Sequence, residues 1–230
     1  VTGLTAVAFT ATVVAVNSYG PSTSSAASNS VTPLPAIGTV FGGGFFAGQI
    51  STAGNGIADY NLVVGPKATA QSGTQIQWKI VATTTAGTTS VIDGPANSTA
   101  MNNATHPAAQ FCESLTVGGF SDWYLPAKNE LDVCYFNLKP TTTNNNTSSG
   151  INANSVPARA SAYTLGTPAQ TSATDFKDTG TEFFNFPADY WSSTENSSTR
   201  SWTQSFNTGY QYNSTKTLSY NVRAVRRVAV

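Results

Sequence analysis

The sequence contains few of the residues that carry most protein chemistry: one His, one Met and two Cys among 230 residues. A single His cannot supply a cluster of imidazole ligands, and two Cys cannot form a four-thiolate zinc site. The Asp residues are scattered along the chain and lack the spacing of an EF-hand loop. We therefore predict no metal site and no cofactor.

Charged residues are also scarce. They form 10% of the chain, compared with about 25% in an average soluble domain, and the formal net charge is zero. A chain without excess positive charge does not attract nucleic-acid phosphates or an anionic membrane surface. No apolar run approaches the roughly 18 residues that a membrane-spanning helix needs. The sequence thus predicts no nucleic-acid partner and no membrane insertion.

Ser, Thr and Asn take the place of the missing charged residues, beside 40% hydrophobic and 11% aromatic residues. Thr favours strands, whereas Ser and Asn favour turns. A neutral surface rich in hydroxyl and amide groups is more typical of extracellular or virion proteins than of cytosolic enzymes. The composition therefore favours a β-rich protein of that kind.

The first 33 residues predict a β-hairpin. Phe9, Ala11, Val13 and Ala15 share one face of an alternating run, and turn residues and a weaker extended run follow. The pattern VTGLT…FTATVVAVNSYGPS…SAASNSVTP resembles the last two strands of a fibronectin type III domain. Because a two-stranded hairpin cannot bury a core by itself, we expect residues 1–33 to be the C-terminal part of such a domain. The alternative is a hairpin that packs on the main domain.

A short proline-containing linker, residues 34–38, is predicted to separate this hairpin from one α+β domain over residues 39–230. Strands are predicted within 39–50, over 60–64 and 75–81, and as short strands and turns over 190–230. The Thr/Asn/Ser-rich segment 141–150 is predicted to be a mobile loop.

Two helices are predicted, each beginning near a proline, a residue that suits the first helical turn. Apolar residues recur at helical spacing after Pro107 (Ala108, Phe111, Cys112, Leu115) and after Pro126 (Leu131, Cys134, Tyr135, Leu138). Both Cys residues lie on these apolar stripes. If the helices pack together, Cys112 and Cys134 can approach closely enough for a disulfide; two buried free thiols are the equal alternative.

Two motifs point to a family. The first is GGFSDWYLPAKNEL, residues 118–131, and the second is YWSSTENSSTRSWTQSFNTGYQYNSTKTLSYNVRAVRRV, residues 190–228. Together they resemble the Legionella collagen-like protein C-terminal domain family. The resemblance covers most of residues 39–230 and implies a C-type lectin-like fold with two helices and a twisted antiparallel sheet. A fibronectin-like module followed by such a domain resembles phage fibres and other virion appendages.

Alternation within the motifs separates a structural framework from the remaining residues. Trp123 and Leu125 are predicted to face the core, whereas Asp122 and Tyr124 face away. The predicted framework comprises Trp123, Leu125, Pro126, Glu130, Leu131, Trp191, Ser192, Ser193, Trp202, Phe206, Arg223 and Arg226.

Glu130 is predicted to lie near the start of the second helix, where the helix dipole favours a carboxylate. An internal ion pair from Arg223 or Arg226 to Glu130 or Asp122 is expected.

The tail also contains a dense set of Asn, Ser, Thr, Tyr and Arg residues between the framework positions. Tyr offers a large contact area at a small entropy cost, and Ser and Asn offer adaptable hydrogen bonds. Similar lectin-like domains of phages include receptor-binding proteins whose variable positions carry such residues on one exposed face. The predicted ligand-binding face comprises Asn196, Ser198, Arg200, Thr203, Ser205, Asn207, Tyr210, Tyr212 and Asn213. The alternative is that these residues form polar turns in a solvated β region.

The sequence does not favour an enzyme. His106 precedes a helix-initiating proline and is predicted to be an exposed or capping residue, so no Ser-His-Asp arrangement forms around it. The implied fold is shared with formylglycine-generating enzymes, which need a reactive cysteine pair near the end of the chain, and no Cys follows Cys134. The tail lacks the Glu-Pro-Asn and Trp-Asn-Asp signatures of calcium-dependent sugar binding.

We therefore expect a non-enzymatic recognition or adhesion domain on a virion surface, as part of a phage fibre or virion protein. Its expected partners are a host cell-surface glycan or protein and other virion or fibre subunits, and the resemblance implies a homotrimer. The alternatives are a structural fibre-tip or capsid-decoration protein without a specific ligand, or an adhesin on a bacterial cell surface.

Overall fold

The computed structural model describes residues 8–29 and 33–230. The chain forms two units that divide between Ala36 and Ile37, within the stretch predicted as a linker. The first and last parts of the predicted hairpin, residues 1–7 and 30–32, lie outside the described residues.

The first unit is a hairpin joined by backbone and serine side-chain hydrogen bonds. Strands β1 (Val16–Asn17) and β2 (Gly20–Pro21) pair antiparallel beside the turn. Farther from the turn, three serines of the second segment each pair with one residue of the first. The serine donates its backbone N–H to that residue's carbonyl, and its hydroxyl accepts that residue's backbone N–H. The pairs are Ser22 with Ala15, Ser25 with Val13 and Ser28 with Ala11. Phe9 and Val13 are 37% and 70% exposed. The predicted apolar face is thus not covered within this unit.

The second unit contains ten strands, and the stretches predicted within 39–50 and over 60–64 are confirmed. The strands are β3 (Val40–Phe41), β4 (Gly44–Ile50), β5 (Tyr60–Val64), β6 (Ile76–Gln77), β7 (Ser155–Val156), β8 (Asp189–Glu195), β9 (Arg200–Ser205), β10 (Gln211–Thr215), β11 (Ser219–Tyr220) and β12 (Val225–Ala229). The strand predicted over 75–81 is only two residues long, because the chain turns so that the Lys79 ammonium reaches carbonyl oxygens at Thr83 and Thr84.

The strands form three antiparallel sheets. The main sheet has the order β12-β5-β4-β3, and β7 pairs with the last residues of β4. The C-terminal sheet has the order β10-β9-β8, and β6 pairs with β11. The turn between β3 and β4 needs Gly42 and Gly43, whose φ angles of 55° and 82° are unfavourable for other residues.

Four helices accompany the sheets: α1 (Lys67–Ala70), α2 (Gly94–Ala100), α3 (Pro107–Glu113) and α4 (Lys128–Leu138). The two predicted helices correspond to α3 and α4. The other two are short, and α2 is capped by Asp93, whose side chain accepts the N–H of Ala96 at 3.3 Å. The α+β class is thus confirmed. Within the described residues, no helix has the length and apolar character needed to cross a membrane.

The second unit has two hydrophobic clusters. The first contains Cys134 of α4 and Leu62 of β5, and the second contains Cys112 of α3 beside Trp78 and Trp123. Because α3 and α4 supply their apolar stripes to different clusters, the two thiols do not pair, and both are free. The disulfide alternative is wrong, and buried free thiols are confirmed.

Most predicted framework residues are buried. Trp123, Leu125, Pro126, Leu131, Trp191, Ser192, Ser193 and Phe206 all lie in the interior. Trp202 is an exception, since it is only half-buried and belongs to neither cluster. Tyr124 was predicted to face away from the core but is 3% exposed, because its hydroxyl donates to the buried Glu130 carboxylate at 2.5 Å.

The arginines near the C-terminus form ion pairs with carboxylates, and one of the expected pairings is confirmed, although its Asp122 side chain is 55% exposed. Arg226 binds both oxygens of Asp122 at 2.7 and 2.8 Å, as expected. Glu130 pairs instead with the Nε of Arg227 at 2.8 Å, because successive residues of β12 point to opposite sides of the strand. Arg223 pairs with a carboxylate that the prediction did not include, that of Glu182, at 2.7 Å.

Replacing Arg227 with Met should lower the free energy of unfolding by about 3–5 kcal/mol, because the fully buried Glu130 would lose its cation. Chemical denaturation measures this change. The double variant Glu130→Gln/Arg227→Met should recover part of the loss, and the exposed Arg200→Met serves as a control for loss of a surface arginine. A loss no larger than that of the control would contradict an essential buried pair.

Iodoacetamide should add two adducts to the chain when it is denatured without reductant, since both thiols are free. The native chain should gain none over the same period, because burial raises the pKa of both thiols and blocks access to them. Intact-protein mass spectrometry reads the mass shift. An unreduced, denatured chain that takes up no adduct would show a disulfide instead.

Candidate ligand-binding site

The predicted ligand-binding residues lie on and around the C-terminal sheet. Alternate residues of β9 point to opposite faces, so Trp202 shares one face with Arg200, and Thr203 lies on the other. The antiparallel register places Asn213 opposite Trp202 and Tyr212 opposite Thr203. The sheet therefore has two chemically different surfaces.

The tryptophan surface, defined by Arg200, Trp202, Gln211 and Asn213, carries an indole ring among amide groups. The Lys128 ammonium lies 4.4 Å from the centroid of the Trp202 ring. Gln211 donates its side-chain N–H to the Lys128 carbonyl at 3.1 Å, which links β10 to the start of α4. A groove of about 160 Å³ opens here, lined by Lys128, Trp202, Gln211 and residues 148–151.

The wall of this groove belongs to the segment 141–150, which lacks regular structure as predicted but is anchored. The buried Lys139 ammonium binds three oxygens of this region: Thr143 O at 2.5 Å, Asn145 Oδ1 at 2.7 Å and Pro168 O at 3.2 Å. The hydroxyl of Ser149 accepts the backbone N–H of Gln211 at 2.9 Å. The prediction of a mobile loop did not include these anchors, which connect the segment to both α4 and β10.

The tyrosine surface, defined by Ser205, Tyr210, Tyr212 and Tyr220, lies on the other side of the sheet. The rings of Tyr210 and Tyr212 are stacked, with centroids 5.4 Å apart and planes 15° apart. Tyr210 is 42% exposed. Burial and a hydrogen bond to Asp189 raise the pKa of Tyr212 far above its usual range. The two rings therefore present an uncharged aromatic surface.

The tip of the β8–β9 hairpin is held from beneath by a buried lysine. The Lys216 ammonium binds Ser198 O at 3.0 Å and Thr83 O at 2.8 Å, and it pairs with Glu195 at 2.8 Å. Asn196 and Ser198 themselves are exposed.

The prediction of a single ligand face is therefore wrong in part. The nine residues divide among the hairpin tip (Asn196, Ser198), the tryptophan surface (Arg200, Asn213), the tyrosine surface (Ser205, Tyr210, Tyr212), the turn after β9 (Asn207) and the interior (Thr203). Thr203 is 1% exposed, and its hydroxyl donates to Tyr212 O at 3.0 Å, so it is not available to a ligand.

Three residues of the tryptophan surface and its groove were missed as site residues: Trp202, which was assigned to the framework, Lys128 and Gln211. Strand alternation places Trp202 on the same face of β9 as Arg200, but it also places the fully buried Gln204 there, so it does not by itself identify Trp202 as accessible. No sequence signal places Lys128 there, because it lies far before β9 in the chain.

His106 occupies the N-cap position of α3 as predicted, but its side chain is buried and makes no capping hydrogen bond. Its Nε2 accepts from the Thr85 hydroxyl at 2.9 Å, and its Nδ1 donates to Asn103 Oδ1 at 2.8 Å. Burial, together with Lys79 and Lys216, lowers the pKa of His106 to about 4. The imidazole is therefore neutral and fully engaged. Within residues 8–29 and 33–230, no group of three or more His, Cys, Asp or Glu is arranged to hold a metal.

The lowered pKa of His106 predicts that stability falls as the pH falls. The unfolded chain takes up a proton near the usual pKa of about 6.5, whereas the folded chain does so only near pH 4, so the free energy of unfolding should decrease from about pH 7 towards pH 4. Urea denaturation at pH 7 and pH 5 measures the loss, which should be smaller in a His106→Gln variant. An identical loss in both proteins would contradict this assignment.

Comparison with known proteins agrees with the motifs. Residues 67–226, well over half of the chain, match the family described as the Lcl C-terminal domain. No curated protein matches the sequence. The matched range contains both of the motifs up to Arg226, together with all four helices and the whole C-terminal sheet. The chain belongs to the Lcl C-terminal domain family.

Proposed function

We propose that this protein is a non-enzymatic recognition domain that binds a host cell-surface glycan or protein through its C-terminal sheet. The observation that carries the proposal is the set of aromatic rings that this sheet leaves accessible, Trp202, Tyr210 and Tyr212, which are surrounded by amide and hydroxyl groups. Such rings supply a large contact area with little loss of entropy, and the neighbouring polar groups supply hydrogen bonds.

The rigidity of the sheet supports this proposal. Beneath the accessible rings, Trp191 and Phe206 are buried in the two hydrophobic clusters. The ligand-contacting side chains thus project from strands that the core holds in place. A preorganised surface binds with a smaller ordering penalty than a flexible one.

The environment of the side chains that most often act as nucleophiles or bases supports a function in binding. His106 has both ring nitrogens hydrogen-bonded inside the fold. Cys112 and Cys134 are fully buried, and burial raises the pKa of each thiol, so neither forms a thiolate readily.

The proposal includes a C-type lectin-like fold for residues 39–230 and a fibronectin type III origin for the first unit. The four helices and antiparallel sheets are consistent with the first assignment. The serine-linked hairpin, with its uncovered Phe9 and Val13, supports the second, because the last two strands of a sandwich need further strands to cover their apolar face.

The proposed setting is a phage fibre or another virion-surface protein, with other fibre subunits as neighbours and a homotrimer as the assembly. It is supported by the resemblance of the two-module arrangement to virion appendages. A structural fibre-tip or decoration protein, or a bacterial adhesin, is the competing outcome that the following experiment separates.

Replacing Tyr210 with Ala should weaken attachment to host cells by roughly thirty-fold, as expected for an aromatic residue at the centre of a contact. The double variant Tyr210→Ala/Tyr212→Ala should abolish attachment. Flow cytometry of cells incubated with the labelled protein measures binding, and thermal unfolding shows whether the variants remain folded.

Tyr19→Ala is the matched control, because Tyr19 lies in the first unit and is 98% exposed. It should attach as the natural protein does. Unchanged attachment of the folded double variant would contradict a ligand surface at these tyrosines and favour a structural role.

A further inference from the structure

Trp202 differs from the other three tryptophans of the chain. Trp78, Trp123 and Trp191 are at most 1% exposed, and each donates its indole N–H to a backbone carbonyl. Trp202 is half-buried, and among the described residues its indole N–H has no hydrogen-bond partner. This ring is therefore the one tryptophan with accessible ring surface and an N–H available to a ligand.

The groove beside Trp202 has the size and chemistry of a site for one sugar ring. Its volume of about 160 Å³ is that of a small compartment and not that of a cleft for a folded partner. Aromatic ring surface packs against the C–H groups of a pyranose. The Lys128 ammonium, which lies over the Trp202 ring, can donate to a sugar hydroxyl, and the Gln211 side-chain oxygen can accept from one, since its N–H groups already bind Lys128 O and Gln204 Oε1.

The single positive charge in the groove indicates which ligand groups it can bind. Lys128 is the one charged residue among its lining residues, and it forms no ion pair with the described acidic residues. Burial lowers the pKa of Lys128 because its ammonium has lost part of its hydration. A ligand oxygen that binds the ammonium would stabilise its charge. A neutral pyranose can supply such an oxygen from a hydroxyl group, and an acidic pyranose can supply it from a carboxylate.

The groove is also formed before a ligand arrives. Its wall is fixed to β10 by the hydrogen bond from Gln211 N to Ser149 Oγ, and Tyr163 N donates to Ser149 O at 2.7 Å. Lys139 and Asn145 hold the preceding residues of the segment. Little ordering is therefore needed on binding, which favours recognition of a ligand as small as one ring.

We infer that this groove binds a single pyranose ring of a glycan, stacked on Trp202 and hydrogen-bonded by Lys128 and Gln211. The inference rests on the proposed function and narrows its ligand from a glycan or protein to a glycan at the tryptophan surface. The tyrosine surface then contacts other parts of the same host structure.

Acrylamide quenching of tryptophan fluorescence in the full chain tests this inference. Because the other three tryptophans are buried, the quenching reports mainly on Trp202. The probes are the methyl glycosides of glucose, galactose, mannose, N-acetylglucosamine, N-acetylgalactosamine, glucuronic acid and N-acetylneuraminic acid. At saturation, at least one should lower the quenching constant roughly twofold, since the sugar covers one face of the indole.

Single substitutions in the groove identify the side chains that bind the glycoside. Gln211→Ala should weaken the protective effect of the active glycoside, whereas Tyr19→Ala, in the first unit, should leave it unchanged. Lys128→Gln distinguishes the two kinds of pyranose: it should abolish protection by a carboxylate-bearing glycoside and only weaken protection by a neutral one. Protection that survives Gln211→Ala and Lys128→Gln together would place the sugar elsewhere and overturn the inference.

If no glycoside protects Trp202, the inference is wrong even where Tyr210→Ala still reduces attachment to host cells, and in that case the proposed recognition function remains. If a glycoside protects Trp202 while the tyrosine variants attach normally, the groove is supported and the proposed role of the tyrosine surface fails. The two failures are thus distinguishable.

Discussion

The second unit depends on three largely buried arginines near the C-terminus, each of which is paired with a carboxylate. Arg223 is 1% exposed, and the side chains of Arg226 and Arg227 are 8% and 10% exposed. A buried cation is tolerated only when carboxylates and carbonyls replace the lost water. The three side chains therefore require earlier parts of the chain in fixed positions, namely Gly42, Gly65, Ile92, Asp122, Glu130 and Glu182.

The same use of charge explains why few charged groups remain around the candidate site. Two lysines are also buried: Lys139 is held by three loop oxygens, and Lys216 by Glu195 and loop carbonyls. With only 10% charged residues in the chain, this internal use leaves hydroxyl, amide and aromatic groups as the main functional groups around the C-terminal sheet. Such a surface is suited to stacking and hydrogen bonding, which is the basis of the proposed function.

Several elements could be predicted because their signals are local. The proline near the start of α3 and of α4, with apolar residues at helical spacing, identified both helices. Helix α2 could not be found in this way, because it contains Gly, Pro, Ser and Thr and depends on its Asp93 cap and on packing. The partner of Glu130 was missed for another reason: whether Arg226 or Arg227 points towards it depends on how β12 is rotated in the sheet.

The sequence by itself determined the family, the α+β class and most of the tail residues of the proposed binding surface, because these follow from motifs, periodicity and composition. Only the tertiary structure decided which of these residues are accessible. Alternation in β9 separates Trp202 from Thr203, but it does not say which of the two is covered. Nonlocal packing determines which face of a strand is buried. The accessible part of Trp202 lies in a groove whose other walls, Lys128 and the segment 148–151, are distant in the chain and meet the sheet only after folding.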